Sequence, residues 1–196
     1  MNDTIIPFIS LDNSKKNEAV DIFLAGFSNM FTFATKAELV QLFSTAFEET
    51  QVYVYIIENH VCGVLGLGTN TKRALKFDKQ ICLKLFGKTK GRIIYYLLHK
   101  TSEIPAVKKD TDLYVDYLTI DPQMRKKGIA TKLLNFAWAL PKYKYCYLEV
   151  LSKNILAAKL YKKLGFTIHK KGFNIFTIVQ GLGYPIVMKK LLIKAT

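Results

Sequence analysis

A strand that leads through a basic, glycine-containing loop into a helix is the feature that most restricts the fold of this chain. Residues 113–120 have the apolar pattern of a strand, and residues 128–140 have the periodicity of a helix that ends before Pro141. The loop between them ends in Arg125, Lys126, Lys127 and Gly128. Because the first turn of a helix leaves about four amide N–H groups unpaired and adds its dipole, this segment predicts an anion site suited to a pyrophosphate. The alternative is a solvated basic turn before an ordinary core helix.

The rest of the chain alternates between strand patterns and helix patterns. Alternating or continuous short apolar runs predict strands, and apolar residues three and four apart predict helices. Further strands are expected at residues 4–9, 52–57, 61–67, 145–151, 166–169 and 184–191. Further helices are expected at residues 13–30, 39–47 and 154–164, with two short ones inside residues 71–105. This order predicts a single α/β domain over residues 1–196.

Net charge is the feature of the composition that invites a functional explanation. The 196 residues include 29 Lys and Arg against 15 Asp and Glu, a formal net charge of +14. The excess is uneven, because residues 1–60 hold three basic and eight acidic side chains. Only three of the bases are Arg, which weakens a nucleic-acid interpretation since base and phosphate recognition relies on Arg. A lysine-rich, solvated surface is the simplest explanation of most of the excess, and we expect no nucleic-acid partner.

Cysteine usage and hydropathy bear on where the protein works. Cys62, Cys82 and Cys146 form no C-x-x-C pair, which predicts free thiols in a reducing compartment. The first residues lack the basic and apolar segments of a signal peptide. The longest uncharged stretch, residues 172–188, contains polar residues, Gly and Pro and is too short to span a bilayer. We therefore expect a cytoplasmic protein with no membrane partner and, in the absence of a His or Cys cluster, no metal.

Three glycines at residues 63, 66 and 68 form a second pattern with a possible function. Gly66 and Gly68 begin a G-x-G-x-x-G sequence, but Thr71 replaces the third glycine of a dinucleotide-binding loop. We therefore interpret these glycines as hairpin residues that pack close to neighbouring backbone.

Two blocks of the sequence resemble the GCN5-related N-acetyltransferase (GNAT) superfamily. Residues 125–130 match the family's R/Q-x-x-G-x-G/A signature, and Leu118, Ile120 and Pro122 stand where the preceding strand usually has L-x-V-x-P. The second block, residues 148–166, matches L-E-V followed by N-x-x-A-x-x-L-Y-x-x-x-G-F. Both blocks occur in the family's order and spacing across residues 113–169. The resemblance implies a mixed central β-sheet flanked by helices, and an acetyl-CoA-dependent N-acetyltransferase.

The resemblance also implies which residues contact the co-substrate. The loop backbone would cradle the CoA pyrophosphate through Arg125, Lys126, Lys127, Gly128, Ile129, Ala130 and Thr131. The backbone of Leu118, Thr119 and Ile120 would pair with the pantetheine arm like an added strand. In the family a bulge splays this strand from the next one, so that the thioester enters the gap. Asn154 would form a hydrogen bond with the cofactor arm.

The catalytic roles implied by the resemblance fall to three residues. Tyr161 stands where many members place the acid that protonates the departing thiolate, and a phenol stays protonated at neutral pH. The alternative for Tyr161 is a core aromatic on an amphipathic helix. Glu149 is the first candidate for the base that deprotonates the amine, and Asp116, expected on one strand face with Tyr114 and Leu118, is the second. Each carboxylate has an ion pair with a nearby Lys as its alternative, and deprotonation through water without a single base is also open.

The chain departs from the family between the third and fourth strands. Residues 71–105 lie where the family has a short link, so we expect a helical insertion that covers the acceptor cleft as a flap. A surface segment or a dimer contact is the alternative. Aromatic and apolar residues expected near the acceptor are Phe27, Met30, Phe31, Phe33, Phe173, Phe176 and Tyr184. The acceptor is open between a small-molecule amine and a protein or peptide N-terminus, and the oligomeric state between a monomer and a homodimer. The alternative to an enzyme is a non-catalytic CoA-binding or nucleic-acid-binding module of the same fold.

Overall fold

Seven strands and seven α-helices form in the part of the chain that the computed structural model describes, residues 3–27 and 29–192. The strands are β1 (Asp3–Pro7), β2 (Val52–Ile57), β3 (His60–Gly68), β4 (Asp112–Ile120), β5 (Tyr145–Leu151), β6 (Thr167–Lys171) and β7 (Pro185–Leu191). The helices are α1 (Asn13–Phe27), α2 (Lys36–Phe43), α3 (Lys79–Phe86), α4 (Lys88–Ser102), α5 (Ile129–Ala139), α6 (Ile155–Lys163) and α7 (Ile175–Val179).

One mixed sheet holds these strands in the order β1-β2-β3-β4-β5-β7-β6. Neighbouring strands are antiparallel except β4 and β5, which run parallel. A parallel pair requires a crossover connection, and the loop and α5 supply it. Glu58 and Asn59 both adopt positive φ in the tight turn between β2 and β3, which is typical of a two-residue hairpin. The mixed α/β architecture implied by the sequence is therefore confirmed.

Helices cover both faces of the sheet, because successive strand residues point to opposite sides. On one side, here named the α1 face, residues from α1 to α4 pack with Val52, Val54 and Tyr117. On the other side, the α5 face, residues from α5 and α6 pack with Leu113, Val115 and Leu148, among others. The sheet separates the two core layers. The face to which a strand residue points therefore decides which layer its side chain joins.

The segment between β3 and β4, which we continue to call the insertion, contains two helices as predicted, but α4 has 15 residues and is not short. The Asp78 carboxylate caps α3 by accepting a hydrogen bond from the Gln80 amide at 2.6 Å. Gly87, with φ of 77°, then lets the chain pass directly from α3 into α4. Inner residues of both helices join the core of the α1 face, namely Cys82, Phe86, Ile94 and Leu98. The insertion thus shares the main core.

Several element boundaries differ from the predictions. β1 ends at Pro7 because residues 8–10 form a 3₁₀ turn, and Phe8 packs edge-on against Phe47 with ring centroids 5.1 Å apart. Residues 29 and 30 form a turn, α2 ends at Phe43, and Phe47 forms a β-bridge with Leu75 instead of extending α2. The short helix α7 was not predicted. None of the helices in the described ranges is long and apolar enough to cross a bilayer.

Candidate active site

β4 and β5 separate partway along their length. They pair from Asp112 and Tyr145 to Val115 and Leu148, and the described strands show no pairing with each other beyond that point. Residues 117–120 pair only with β3, and residues 149–151 pair only with β7. The two facing backbone edges are therefore free to form hydrogen bonds with an extended ligand. We name this opening the β4–β5 gap.

A β-bulge at Asp116 lies where the gap begins. Gly66 of β3 pairs with Tyr117 and the next residue, Leu67, pairs with Val115, so Asp116 is an extra residue in β4. Leu118 packs on the α5 face, whereas the Asp116 carboxylate contacts the Ala74 amide on the α1 face. The prediction that Asp116 and Leu118 share a face is therefore wrong, because the bulge interrupts the alternation of side chains.

Glycines of β3 make room for the side chains of this bulged strand. A Cβ on Gly66 would collide with the Tyr117 ring, and one on Gly63 would lie 2.8 Å from Ile120 Cδ1. The position of these glycines in the hairpin is confirmed. We had expected neighbouring backbone to lie closest to them, but the closest atoms belong to side chains of β4.

Both carboxylate oxygens of Asp116 already have donors. Arg73 Nε donates to Oδ1 at 2.5 Å, and the Ala74 amide donates to Oδ2 at 2.6 Å. The Arg73 side chain is 11% accessible and that of Asp116 4%, so the pair is buried. The ion-pair alternative thus describes Asp116, with Arg73 as the partner. A carboxylate held in this way is less suited to accept a substrate proton than one without partners.

Arg73 is the residue at this site that the sequence analysis did not single out for a role. Its guanidinium lies 5.2 Å from the centroid of the Tyr114 ring, and Nη1 donates to the Ile104 carbonyl at 2.6 Å. Arg73 therefore joins both ends of the insertion to the bulge in β4. The sequence did contain one indication of this role. Arg is rare among the basic residues of this chain, and its planar guanidinium suits ion pairs with buried carboxylates.

Glu149 stands at the edge of the gap, immediately after the last residue of β5 that pairs with β4. In contrast to Asp116, its carboxylate has no hydrogen-bond donor or cation within contact in the described part of the chain. Its surface is accessible, yet surrounding protein removes enough water to raise the pKa of Glu149 above the ordinary value of 4.5. The Arg73 charge opposes this rise in the pKa. A free carboxylate with a raised pKa is the chemistry that a general base requires.

Tyr161 lies on α6 within the core of the α5 face. Its ring meets that of Phe166 edge-on, with centroids 5.8 Å apart. Burial raises the pKa of Tyr161 to about 12, so its hydroxyl stays protonated across the pH range of ordinary assays. This property suits a proton donor, and the packing also suits a core aromatic.

The loop before α5 has the backbone shape of an anion site. Lys126 and Gly128 have φ of 64° and 80°, which turns the chain sharply into the helix. A Cβ built on Gly128 meets nothing within 4 Å, so a ligand can approach this part of the backbone. The amides of Ile129, Ala130 and Thr131 open the helix and have no intrahelical acceptor. The exposed basic side chains beside them are Arg125, Lys126 and Lys127.

The other predicted co-substrate contacts line the gap or follow it. Leu118 and Ile120 point their side chains to the α5 face, and the Thr119 hydroxyl is buried without a partner among the described residues. Their backbone edge toward β5 is unpaired. Asn154 uses its side-chain oxygen to cap α6, accepting from the Ala157 amide at 3.2 Å. Its NH₂ group is therefore the part of Asn154 that suits a ligand.

The residues expected near the acceptor divide into two groups. Those that pack half-buried against the core of the α1 face are Phe27, Phe31 and Phe33. Those exposed to solvent are Met30, Phe173, Phe176 and Tyr184. Three members of the exposed group belong to the connection between β6 and β7, which therefore offers apolar contacts that the core does not use.

Solved acetyltransferase structures share this fold at low sequence identity. A Corynebacterium glutamicum protein described as histone acetyltransferase HPA2 and related acetyltransferase has a TM-score of 0.62 and 20% identity, covering 100% of this chain and 99% of that chain. An N-acetyltransferase from Staphylococcus aureus Mu50 has a TM-score of 0.62 and 16% identity, covering 95% and 100%. The ribosomal-protein-S18-alanine N-acetyltransferase from Escherichia coli has a TM-score of 0.59 and 14% identity, covering 100% and 97%.

The amino-acid sequence itself matches the model of a protein family. The model described as an acetyltransferase (GNAT) domain matches residues 48–168, a range that contains the gap, the loop and both sequence blocks. A comparison with curated proteins gives no match. Because the matched range covers more than half of the chain, this protein belongs to the GNAT acetyltransferase family.

Proposed function

We propose that this protein transfers the acetyl group of acetyl-CoA to a primary amine, which attacks the thioester directly. The β4–β5 gap carries this proposal, because it brings the free carboxylate of Glu149 on β5 together with the unpaired edge of β4 and the basic loop that follows β4. Family membership supports acetyl transfer in general. The amine acceptor, either a small molecule or a protein or peptide N-terminus, and the roles of individual residues are part of the proposal.

The residues along β4 suit a ligand that has an anionic end and a long neutral arm. Open amides at Ile129 to Thr131, with exposed bases beside them, favour the pyrophosphate of CoA. The unpaired backbone of residues 117–120 leads from this loop to the bulge. An arm that pairs with this edge would bring its thioester toward Glu149, and the NH₂ group of Asn154 would contact it from the far side.

Glu149 would act as the base. As the amine nitrogen forms a bond to the thioester carbonyl carbon, the Glu149 carboxylate accepts the proton that the nitrogen loses. The carbon–sulfur bond then breaks, and the sulfur leaves with its electron pair. The raised pKa of Glu149 makes the carboxylate a stronger base than an ordinary one, and both of its oxygens are free to accept the proton.

Tyr161 would act as the acid that protonates the departing sulfur. Its pKa of about 12 keeps the proton on the hydroxyl at assay pH, so the group is available to donate that proton to the sulfur as the carbon–sulfur bond breaks. Exchange with water then returns a proton to Tyr161 and removes one from Glu149, which restores both groups for the next cycle.

The connection between β6 and β7 would supply contacts to the acceptor. The Ser152 amide donates to the Tyr184 carbonyl at 2.9 Å, so this connection borders the end of β5 at the open side of the gap. Phe173 and Phe176 are 78% and 68% exposed there. These rings favour an acceptor with an apolar or aromatic group beside its amine.

The experiment that tests the proposal measures release of the CoA thiol from acetyl-CoA with a panel of primary amines and short peptides that have free N-termini. We expect release above the hydrolysis background with at least one acceptor class. Tyr161→Phe should lower turnover with that acceptor, while the affinity for CoA, measured by calorimetry, stays unchanged. CoA binding with no turnover by any acceptor would instead favour a non-catalytic role.

A further inference from the structure

Helix α4 is apolar on both its inner and its outer side. Residues 93–98 form an uninterrupted apolar run, and at about 3.6 residues per turn such a run covers the whole circumference of a helix. Ile94 and Leu98 are buried in the core of the α1 face. Ile93, Tyr96 and Leu97 point outward and are 57%, 60% and 43% exposed. We name these three residues the outer stripe of α4. A stretch of helix that is apolar all round is usually covered on both sides, so this central part of α4 indicates a partner for the stripe.

The charge around the outer stripe is mainly positive, and the acid nearest to the stripe in the sequence, Glu103, is largely buried and paired with His99. Residues 79–102, which contain α3 and α4, include six basic residues and no acid. Arg92 and Lys100 flank the stripe on α4 and are exposed, and neither forms a salt bridge within the described part of the chain. Ile104, 52% exposed, continues the apolar surface just beyond the helix. The surface therefore combines an apolar centre with a basic border.

This combination favours one occupant over two others. A second copy of the same surface would bring like charges together, which opposes self-association. Nucleic acid would use the bases but would leave the three apolar side chains without a partner. An anionic bilayer meets both needs, because its phosphates attract Lys and Arg while its acyl boundary accepts apolar side chains.

We propose that the outer stripe of α4 and its basic border dock this protein on the surface of an anionic lipid bilayer. The contact is peripheral, and it revises the expectation of no membrane partner, which rested on the lack of a spanning segment. The docking surface reaches close to the gap, since the Ile104 carbonyl accepts from Arg73, which also pairs with Asp116 at the bulge.

Vesicle sedimentation with the full chain tests this proposal. The probes are phosphatidylcholine vesicles with and without phosphatidylserine. We expect binding to the vesicles that contain phosphatidylserine, weaker binding to the neutral ones, and a loss of binding as salt screens the charges. Failure of the wild-type protein to bind anionic vesicles at low salt would overturn the proposal.

Paired variants separate the apolar and the charged contributions. Ile93→Ser combined with Leu97→Ser should lower the partition onto anionic vesicles by about tenfold or more, since two apolar side chains no longer enter the interface. Arg92→Gln combined with Lys100→Gln should lower it by about tenfold and reduce the salt dependence. Ile9→Ser, an equally exposed site at 54% on the 3₁₀ turn, should leave it unchanged. All four positions on α4 are exposed, so thermal unfolding should match the wild type.

Two further measurements identify the other occupants. Sedimentation equilibrium that shows a wild-type dimer and a monomeric Ile93→Ser/Leu97→Ser variant would assign the stripe to a second copy and overturn the lipid proposal. A gel shift with duplex DNA that the same variant loses would assign it to nucleic acid. An equal loss of vesicle binding in Ile9→Ser would show that the effect is not specific to α4.

Discussion

The two halves of β4 are both mainly apolar but have different surroundings. Residues 112–115, the closed half, pair with β5 on one edge, and their side chains are buried. Residues 117–120, the open half, pair with β3 alone, and their other edge faces the gap. One extra residue, Asp116, separates the two halves. The same strand therefore holds the fold together in its first half and leaves an edge open to a ligand in its second.

The largest effect that should distinguish the halves concerns Glu149, which lies beside the open half. Glu149→Gln removes the proposed base and should lower kcat by about 10²–10⁴-fold, with little change in the unfolding free energy. Steady-state CoA release and urea unfolding measure the two quantities. An unchanged kcat would mean that water, without a single protein base, removes the proton.

The pH profile adds a second measurement of the same residue. The working form of Glu149 is the carboxylate, so kcat/KM should fall as the pH drops through its pKa, which burial raises above 4.5. The acceptor amine titrates identically with wild type and Glu149→Gln. The difference between the two profiles therefore reports Glu149, and identical profiles would contradict its role.

Breaking the buried pair at the boundary between the halves should have the next largest effect. Arg73→Met leaves the Asp116 carboxylate buried without its cation and should lower the unfolding free energy by about 3–5 kcal/mol. Arg73→Met combined with Asp116→Leu should recover much of this loss. The Arg73 charge also lowers the pKa of Glu149, so the acid limb of the single variant should move to higher pH. If Arg73→Met unfolds like the wild type, Arg73 does not stabilise the fold. If its pH profile also matches the wild type, Arg73 does not influence Glu149.

A substitution in the closed half should affect stability alone. Leu113 is 1% exposed on the α5 face, and Leu113→Ala should lower the unfolding free energy by about 2–5 kcal/mol through lost burial and a cavity. The turnover of the folded enzyme, measured well below its melting temperature, should stay near the wild-type value. A large loss of turnover would show that the closed half also shapes the site.

The smallest predicted effect concerns the loop at the end of the open half. Gly128 has φ of 80°, and an alanine there is strained by about 1–2 kcal/mol. Gly128→Ala should weaken CoA binding by about tenfold, measured by calorimetry. Gly181→Ala is the matched control, because Gly181 has φ of 74° and similarly open space but lies away from the loop. Equal losses of CoA affinity in both variants would contradict a local role of Gly128.

Local sequence patterns were sufficient to predict the loop, α5 and β4. The basic residues, Gly128 and the helical periodicity after it lie within one short stretch, so neighbouring residues carry all the information. The hairpin of β2 and β3 and the two helices of the insertion were predicted for the same reason. Phe47 shows the limit, since its helical spacing was overridden by a bridge to Leu75, distant in the sequence.

The bulge and the gap were expected only from the family resemblance, and neither the bulge nor the Arg73–Asp116 pair could be predicted from such local patterns. Whether Asp116 is an extra residue depends on its register with β3, and nothing in β4 itself records that register. Arg73 and Asp116 are 43 residues apart, and only the return of the chain after α3 and α4 brings them together. The open gap and the roles of Glu149 and Tyr161 depend on such long-range pairing, which is why these roles stay predictions.

A bulge of this kind can arise by the insertion of one residue into a regular strand. Leu113 and Val115 before Asp116, and Leu118 and Ile120 after it, all face α5, while Tyr117 faces α1. Removing Asp116 would restore regular alternation without turning any of these side chains to the other face. A continuous strand and a bulged one therefore differ by a single codon, and the hydrophobic pattern on both sides survives the insertion.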